Sequence, residues 1–399
     1  MADSSESEKA LEGLLGTSNG SLLLKPVIKT TLESSYPVIV AMYALLVVSG
    51  AVLNLGLLGL VLLRRLHHQN TMCLLANLAL AHLVQCLAGI PITLTVMLVT
   101  NWVLGRFLCY FLPMLQDIPM HVSVLTFVIM AYDRYRFIED PSKQRLPAVV
   151  FAIGTWLTAS CIVVPYPIYT TYLHIEEYIP RSGDAQDSPD IAVCFANLGN
   201  NIHDYMRCIF VLMYVIPAIV AAYIHGQTSR MLKDKQTVTL VLYDTRAARS
   251  PRTSSASVHG YRRSVPMRNS LYVAPHAGTA ELDLPKEERT QKYLVSMTSA
   301  FFVLVAPLNI LRVIKSELNE TYENTAHFDM AYSVLVWISF LPTCTMPLFV
   351  AAWVLSRSEK ERVRGYFRFS NRRHTRGGVR AAQCSLPTSG GSATDGDGY

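Results

Sequence analysis

Seven long apolar segments, separated by shorter polar ones, dominate the sequence. A helix needs about 20 mostly apolar residues to cross a hydrocarbon core about 30 Å thick, and each segment reaches that length. The segments lie near residues 36–63, 71–99, 107–132, 146–170, 206–229, 291–314 and 328–355. The pattern predicts an all-α membrane protein with a seven-transmembrane helix bundle over residues 36–355.

The composition agrees with this prediction. Hydrophobic residues make up 51% of the chain and charged residues 16%, and the mean hydropathy is +0.28. These values are typical of a membrane protein and argue against two or three soluble domains. Residues 1–35 contain no basic stretch followed by an apolar core, so we expect an N-terminal tail and no cleavable signal peptide. Residues 356–399 are expected to form the tail at the other end.

The distribution of charge predicts the orientation in the membrane. The side that carries the N-terminus has eight Lys/Arg and sixteen Asp/Glu residues, whereas the other side has twenty-seven and thirteen. Since Lys and Arg concentrate on the cytosolic side, we expect a multi-pass plasma-membrane protein with an extracellular N-terminus. The sequons at Asn19 and Asn319 both fall on the outer side and are predicted glycosylation sites.

Two polar segments on the cytosolic side have distinct patterns. Residues 230–290 are rich in Arg, Ser, Pro and Gly, which predicts a mostly disordered third inner loop. Within it, Ser250 precedes a proline and Ser264 follows two arginines, so both are predicted phosphorylation sites. Residues 358–369 place Lys/Arg and apolar side chains at helical spacing, which predicts a short amphipathic helix bound to anionic membrane lipids.

Two of the eight cysteines differ from the rest. Most of the others lie inside the spans, where a free cysteine is a small apolar residue. Cys109 opens the third span on the outer side, and Cys194 lies in the outer loop between spans four and five, both in an oxidising compartment. A disulfide between them would hold that loop over the mouth of the bundle and contribute about 2–5 kcal/mol. Two unpaired thiols are the alternative.

The end of the third span reads MAYDRYRFIEDP. Placing charged side chains at the end of a span costs far less free energy than placing them at the membrane midplane. This low cost permits charged residues here but does not explain why this particular pattern occurs. With Asp133-Arg134-Tyr135 followed by Pro141, the chain resembles the rhodopsin-like family of G-protein-coupled receptors. The match covers essentially all seven spans. Its further landmarks are Cys109, Cys194, Asn54, Asn77-Leu78-Ala79, Trp102, Trp156, Pro217, Pro307 and Pro347.

The resemblance implies a receptor that activates a heterotrimeric G protein. In such a receptor Arg134 is held by Asp133 at rest and is released to engage the G protein. Glu287 lies where many family members place a second partner for that arginine. A charge-assisted contact of this kind is a latch that outward motion of the sixth span would break. Arrestin and receptor kinases are further partners that the resemblance implies.

Several family motifs are altered. The family has an aspartate where this chain has His82, a tryptophan where it has Val305, and an asparagine where it has Met346. Asn54, His82 and Ser123 would then form a polar core that lacks the carboxylate needed to bind sodium. We expect His82 to be a core histidine hydrogen-bonded to Asn54 or Ser123; a proton-sensing role is the alternative.

The ligand is expected to be a neuropeptide. Gln116 resembles what several neuropeptide receptors carry in the third span. Asp117 is one residue later and about 100° around the helix, so it either joins the pocket or bonds a neighbouring helix. Other predicted pocket residues are Met120, Asn309 and Arg312. Acidic residues on the outer loops, including Asp184, Asp187 and Asp190, would steer a cationic or amidated peptide to the mouth.

Other classes fit the sequence less well. A heptahelical hydrolase needs clustered metal ligands, but His67-His68 stand alone beside basic residues, and a transporter usually shows inverted repeats. We therefore expect no enzymatic activity, cofactor, metal or nucleic-acid partner. The altered motifs leave one alternative, a heptahelical receptor that is constitutively active or binds a partner without ordinary G-protein coupling.

Overall fold

The computed structural model describes residues 28–99, 102, 104–174, 192–196, 200–249, 282–317 and 325–355. Within these residues seven helical spans are long and apolar enough to cross a membrane, which confirms the predicted architecture. The chain divides into two compact units, Met1–Val350 and Ala351–Tyr399. The first contains the bundle, and the second is described only at residues 351–355, where the last helix ends.

The spans are built from single helices or from two helices in succession. Span one is Tyr36–Leu63, and span two is Asn70–Val84 followed by Ile90–Leu98. Span three is Gly105–Glu139, and span four is Ala148–Val163. Span five is Asn200–Phe210 followed by Ile216–Arg249. Span six is Leu284–Glu317, and span seven is Thr325–Phe340 followed by Pro342–Val354.

Prolines mark the interruptions in the spans. A π-helical turn at Gln85–Gly89 precedes Pro91 in span two, and another at Val211–Val215 precedes Pro217 in span five. Proline has no backbone N–H and its ring clashes with the preceding turn, and such local rearrangements are a common cause of kinks. Span seven is broken between its two helices directly before Pro342.

Span three lies at the centre and packs against spans two, four and five. Its Phe127 is fully buried, and its ring centroid lies 4.9 Å from that of Phe301 in span six. Asn77 of span two donates to Thr126 of span three at 2.9 Å and to Thr155 of span four at 3.2 Å. Trp156 in turn donates to the Asn77 side-chain oxygen at 2.9 Å. Hydrogen bonds between side chains therefore join spans two, three and four.

Spans one, two and seven approach closely at Gly50. A Cβ atom at that position would lie 2.7 Å from Cys86 Sγ and 3.1 Å from Thr343 Oγ1. One turn further along span one, the Asn54 amide donates to the Thr343 carbonyl at 2.7 Å. A larger residue at position 50 would therefore force the Cys86 side chain, and to a smaller extent that of Thr343, to shift.

The face of the bundle that carries Cys109 will be called the N-face, and the face that carries Asp133-Arg134-Tyr135 the C-face. On the N-face, strand β1 (Thr170–His174) pairs antiparallel with strand β2 (Ala192–Ala196), and Tyr172 lies opposite Cys194. A disulfide joins Cys194 to Cys109 at the start of span three. The hairpin is therefore anchored to the bundle at this point.

The sequence predicts an N-terminal tail that includes residues 1–35, but residues 28–35 pack against the bundle. Ile28 forms a β-bridge with Val99, and the Lys29 amide donates to the Leu98 carbonyl at 2.9 Å. Lys29 also pairs with Asp329 of span seven at 3.2 Å. Leu32 is fully buried in a cluster with side chains of spans one, two, six and seven. Residues 28–35 therefore belong to the folded bundle.

The prediction that residues 230–290 are mostly disordered is wrong at both ends of that range. Span five continues to Arg249, and span six begins at Leu284. Residues 230–249 contain no Pro or Gly, so nothing local interrupts the helix. Lys235 also bonds the Ile138 and Glu139 carbonyls at the end of span three. Ser250, Ser264 and the predicted amphipathic helix at 358–369 lie outside the described residues.

Candidate functional site

The C-face contains a buried ion pair between spans three and six. Arg134 Nη2 lies 2.7 Å from Glu287 Oε2, and the two side chains are 4% and 14% exposed. Arg134 Nη2 also lies 3.5 Å from the Glu287 carbonyl oxygen. A charge-assisted contact removed from water is stronger than the same contact in solvent. Arg134 and Glu287, here called the latch, thus hold the ends of the two spans together.

Asp133 does not hold Arg134, which corrects the expectation from the sequence. Its carboxylate lies 3.6 Å from Arg145 Nη1 and accepts a hydrogen bond from Asn70 at 3.2 Å. Among the described residues, Asp133 and Arg134 form no ion pair. Consecutive helix positions point about 100° apart. Asp133 therefore faces span two and the loop that follows span three, while Arg134 faces span six.

The loop after span three is packed against this site. The Arg145 guanidinium lies 3.8 Å from the centroid of the Phe137 ring. Asp140 accepts hydrogen bonds from the hydroxyl and the backbone N–H of Ser142, which lower the pKa of its carboxyl below the usual value. Tyr135 lies on the exposed side, where its hydroxyl is 3.4 Å from Glu139. Tyr135 is therefore not part of the latch.

A second contact between spans five and six lies beside the latch. His225, at the usual spacing of a family tyrosine, has Nε2 at 3.1 Å from Thr298 Oγ1 and Nδ1 at 3.3 Å from Gln291 Nε2. The amide nitrogen of Gln291 can only donate, so in this arrangement Nδ1 of His225 is the acceptor. Gln291 also reaches Ser229 at 3.4 Å. Sequence patterns gave no signal for Gln291 or Thr298, which are ordinary polar residues within an apolar span.

A cavity opens between spans three, five and six toward the N-face. The cavity volume is about 30 Å³, and about 560 Å³ is empty when the space open to solvent is included. Of the residues predicted to bind ligand, Asp117, Met120, Asn309 and Arg312 line it. The remaining lining residues are His121, Val124, Met206, Ile209, Phe210, Met213, Tyr214, Val305 and Val313. The described lining of this cavity is mainly apolar with a few polar groups, which is the lining composition typical of ligand pockets.

Some polar groups of the cavity have partners among the described residues, and one does not. Arg312 Nη1 of span six lies 3.2 Å from Asp117 Oδ1 of span three. Asn309 donates to the Val305 carbonyl of its own helix at 3.1 Å. His121, one turn below Asp117, is buried, and its Nδ1 has no hydrogen-bond partner among the described residues. His121 was missed by sequence reasoning because a single histidine in a span has many possible environments.

The prediction that Gln116 lines the ligand pocket is wrong. Its side-chain amide donates to Thr93 of span two at 2.5 Å, and it does not line the described cavity. The rotation of span three thus turns Asp117, and not Gln116, toward span six. The acidic residues Asp184, Asp187 and Asp190 and the sequon residues Asn19 and Asn319 lie outside the described residues.

The expected polar core is not a connected hydrogen-bond network. The Asn54 amide donates to the carbonyls of Gly50 and Thr343, and the Ser123 hydroxyl donates to the Pro119 carbonyl. His82 is buried, yet neither ring nitrogen has a hydrogen-bond partner in the described residues. The predicted bonds from His82 to Asn54 or Ser123 are therefore wrong. Asn54 Oδ1 likewise has no hydrogen-bond partner among the described residues.

Metal ligands are not grouped in the part of the chain that the structure describes. No three His, Cys, Asp or Glu side chains there are arranged to hold an ion. Spans three and six are instead joined by two ion pairs. The latch lies on the C-face, and the Asp117–Arg312 pair lies in the cavity near the N-face. Such an arrangement can couple an event in the cavity to the C-face if span six moves as a unit.

Residues 53–349 match the model of the family described as 7 transmembrane receptor (rhodopsin family). The chain therefore belongs to the rhodopsin family of seven-transmembrane receptors, a receptor family that is not enzymatic. It is a multi-pass membrane protein.

Similar known proteins are neuropeptide receptors. The chain is 23% identical to the neuropeptide Y receptor type 4 of Mus musculus over 314 residues, which cover 77% of this chain and 74% of that protein. It is 23% identical to the neuropeptide Y receptor type 6 of Mus musculus over 317 residues, with the same two coverages. It is 26% identical to the neuropeptide F receptor of Drosophila melanogaster over 214 residues, which cover 52% of this chain and 44% of that protein.

Proposed function

We propose that this receptor transduces an extracellular peptide signal to heterotrimeric G proteins at the plasma membrane, with the N-face outside and the C-face in the cytosol. The observation that carries the proposal is the latch, in which Arg134 and Glu287 lie 2.7 Å apart. A buried pair that spans two helix ends has two discrete states, closed and open. Such a pair is a suitable switch for a membrane receptor.

Activation requires several contacts between spans to break together. Outward motion of span six separates Glu287 from Arg134 and frees the guanidinium for a G protein. The same motion removes Thr298 and Gln291 from His225. The paired latch stabilises the resting state in this proposal, which supports signalling that depends on a ligand. The altered motifs at Val305 and Met346 mean that the route from cavity to latch differs from the usual one.

A neuropeptide is the proposed ligand class. The similar proteins are named as neuropeptide Y and neuropeptide F receptors. The cavity lining combines methionine and aromatic side chains with a few polar groups, which suits a peptide terminus with apolar side chains. The N-terminal segment at 28–35 packs against spans one, two, six and seven, whereas the cavity is lined by spans three, five and six.

Acidic residues of the outer loops are proposed to steer a cationic peptide to the cavity. Steering by exposed charge weakens beyond a Debye length, which is about 8 Å at physiological salt. Replacing Asp184, Asp187 and Asp190 with Asn should slow association of an activating peptide more than it speeds dissociation. Surface plasmon resonance at several salt concentrations measures both rates. An on-rate indifferent to salt and to these changes would contradict steering.

Further partners follow from the proposed function. Receptor kinases and arrestin would act on the cytosolic side, with Ser250 and Ser264 as proposed phosphorylation sites. The segment at 358–369 would bind anionic membrane lipids, and Asn19 and Asn319 would carry glycans. Mass spectrometry of the receptor purified from mammalian cells tests the four modification sites directly.

The proposed function is tested by G-protein activation in receptor-expressing cells. A neuropeptide library is applied to wild type and to Arg134→Ala, with surface expression matched. We expect one peptide or a related group to activate wild type and to lose that effect in Arg134→Ala. An equal response of the two receptors would favour the alternative, a heptahelical receptor that acts without ordinary G-protein coupling.

A further inference from the structure

The Asp117–Arg312 pair is the main electrostatic feature of the cavity. The two side-chain atoms lie 3.2 Å apart and connect span three to span six. Among the described lining residues, Asp117 is the only acid and Arg312 the only Lys or Arg. A charged ligand group that enters this part of the cavity must therefore compete for one of these two side chains.

The exposure of the pair is unequal. The Asp117 side chain is 12% exposed and the Arg312 side chain 27%. A ligand carboxylate that drew Arg312 away would leave the more buried carboxylate of Asp117 without its partner, and an unpaired buried charge is strongly unfavourable. A ligand cation bound to Asp117 would instead release Arg312, whose long flexible stem can carry its charge toward water. Exchange of one cation for another is therefore the less costly event.

The surroundings of Asp117 suit an incoming cation with an apolar stem. His121 lies one turn below and offers an unpartnered Nδ1. The rings of Phe210 and Tyr214 stack with their centroids 5.5 Å apart and line the same cavity. Aromatic faces attract guanidinium and ammonium groups, and the methionines of the lining adapt to irregular apolar shapes.

We propose that Asp117 binds a cationic group of the ligand and that Arg312 is a built-in cation that occupies Asp117 until the ligand displaces it. The inference rests on the proposed function, since it assumes that a ligand enters this cavity. It assigns the ligand a guanidinium or amine, and it gives Arg312 the role of an internal competitor. Displacement frees span six from span three near the N-face, at the opposite end of the spans from the latch.

Chemical rescue of an Arg312 variant tests the inference without a known ligand. Thermal unfolding of the purified full-length receptor is followed in a millimolar series of ethylguanidinium chloride, with uncharged ethylurea as the isosteric control. In Arg312→Gln, Asp117 loses its partner and the Tm falls. We expect ethylguanidinium, and not ethylurea, to recover most of the lost Tm by binding the folded state.

The affinity should depend on both members of the pair. Ethylguanidinium should bind Arg312→Gln roughly tenfold more tightly than wild type, where Arg312 competes, a difference of about 1.4 kcal/mol. Arg312→Lys keeps a cation that lacks the planar two-pronged group and should bind with intermediate affinity. The double variant Asp117→Asn with Arg312→Gln should show no rescue. Arg207→Gln is the matched control, since it breaks an exposed pair with Asp204 on the same face and should not be rescued.

Three results would overturn the inference. The first is an equal effect of ethylguanidinium and ethylurea on the Tm of Arg312→Gln. The second is rescue that persists in the double variant. The third is a rise in the Tm of Asp117→Asn with acetate that exceeds the rise in the Tm of Arg312→Gln with ethylguanidinium. The last result would show that the cavity accepts an anion. The inference needs only the ligand-binding part of the proposed function, and thermal unfolding needs no G protein. A receptor that binds the probe as expected but never activates a G protein would therefore refute G-protein coupling and leave the inference standing.

Discussion

Arg134 Nη2 and Glu287 Oε2 lie 2.7 Å apart although 153 residues separate them in the chain. The contact joins the ends of spans three and six on the C-face. Further into the bundle, Phe127 and Phe301 pack with their ring centroids 4.9 Å apart, and Asp117 and Arg312 pair near the N-face. Span six is thus attached to span three at three levels.

Sodium should not regulate this receptor. The family carboxylate of span two is replaced by His82, whose side chain carries no oxygen. Without a carboxylate the site has no strong ligand for a hard cation. We expect unchanged basal activity in membranes when sodium replaces potassium at constant ionic strength. A sodium effect that disappears in His82→Ala would show that this interpretation is wrong.

The disulfide should behave as one structural unit. Cys109→Ala and Cys194→Ala should each lower surface expression, and the double variant should be little worse than either single variant because all three remove the same bond. Flow cytometry of an N-terminally tagged receptor measures the effect. Cys161→Ala and Cys208→Ala, which change exposed free cysteines, are the controls. Additive losses for Cys109 and Cys194 would indicate two separate roles.

The hydrogen bonds of Asn77 should contribute measurably to stability. Asn77→Ala removes three bonds to side chains of spans three and four. Such bonds in membrane proteins average about 0.6 kcal/mol each, so we expect a loss of about 2 kcal/mol and a Tm lower by a few degrees. Ser296→Ala, which removes an exposed bond within one helix, should change the Tm little. Equal Tm values for Asn77→Ala and wild type would contradict the packing described for Asn77.

Residues 28–35 should behave as part of the bundle. Leu32 is fully buried, and truncation of a buried leucine costs about 2–5 kcal/mol. Leu32→Ala should therefore lower the Tm clearly, whereas Leu63→Ala, at an exposed position, should not. Asp329→Asn breaks a partly exposed pair with Lys29 and should cost less than about 1 kcal/mol. A Tm unaffected by Leu32→Ala would place these residues outside the folded core.

The number and approximate bounds of the spans could be predicted because the bilayer imposes a length and a composition on every crossing helix. The pairing of Arg134 with Glu287 could be expected from family spacing. The partner of Asp133 could not, since it depends on how the loop after span three folds back to bring Arg145 against Phe137. The helical continuation of span five to Arg249 was obscured by the Pro- and Ser-rich sequence that follows it.

Most of the remaining differences between the sequence-based predictions and the structure come from the directions in which side chains point. Gln116 and Asp117 are adjacent, and only the rotation of span three decides which one faces span six. The hydrogen bonds expected for His82 are absent: Asn54 and Ser123 donate to backbone carbonyls, and Asn54 Oδ1 has no hydrogen-bond partner among the described residues. Residues 28–35 are too few and too mixed in character to show a hydrophobic period, so burial of Leu32 has no signature in the sequence.

Basal G-protein activation by Glu287→Gln, normalised to surface expression, tests the latch most directly. Removing the charge weakens the hold on Arg134 and shifts the equilibrium toward the open state, and coupling free energies of this kind are typically about 1–3 kcal/mol. We expect basal activation to rise severalfold, to return to background when Arg134→Ala is added, and to stay at the wild-type level in Glu288→Gln, whose exposed carboxylate pairs with Lys292. Unchanged activity in Glu287→Gln, or an equal rise in Glu288→Gln, would contradict the account.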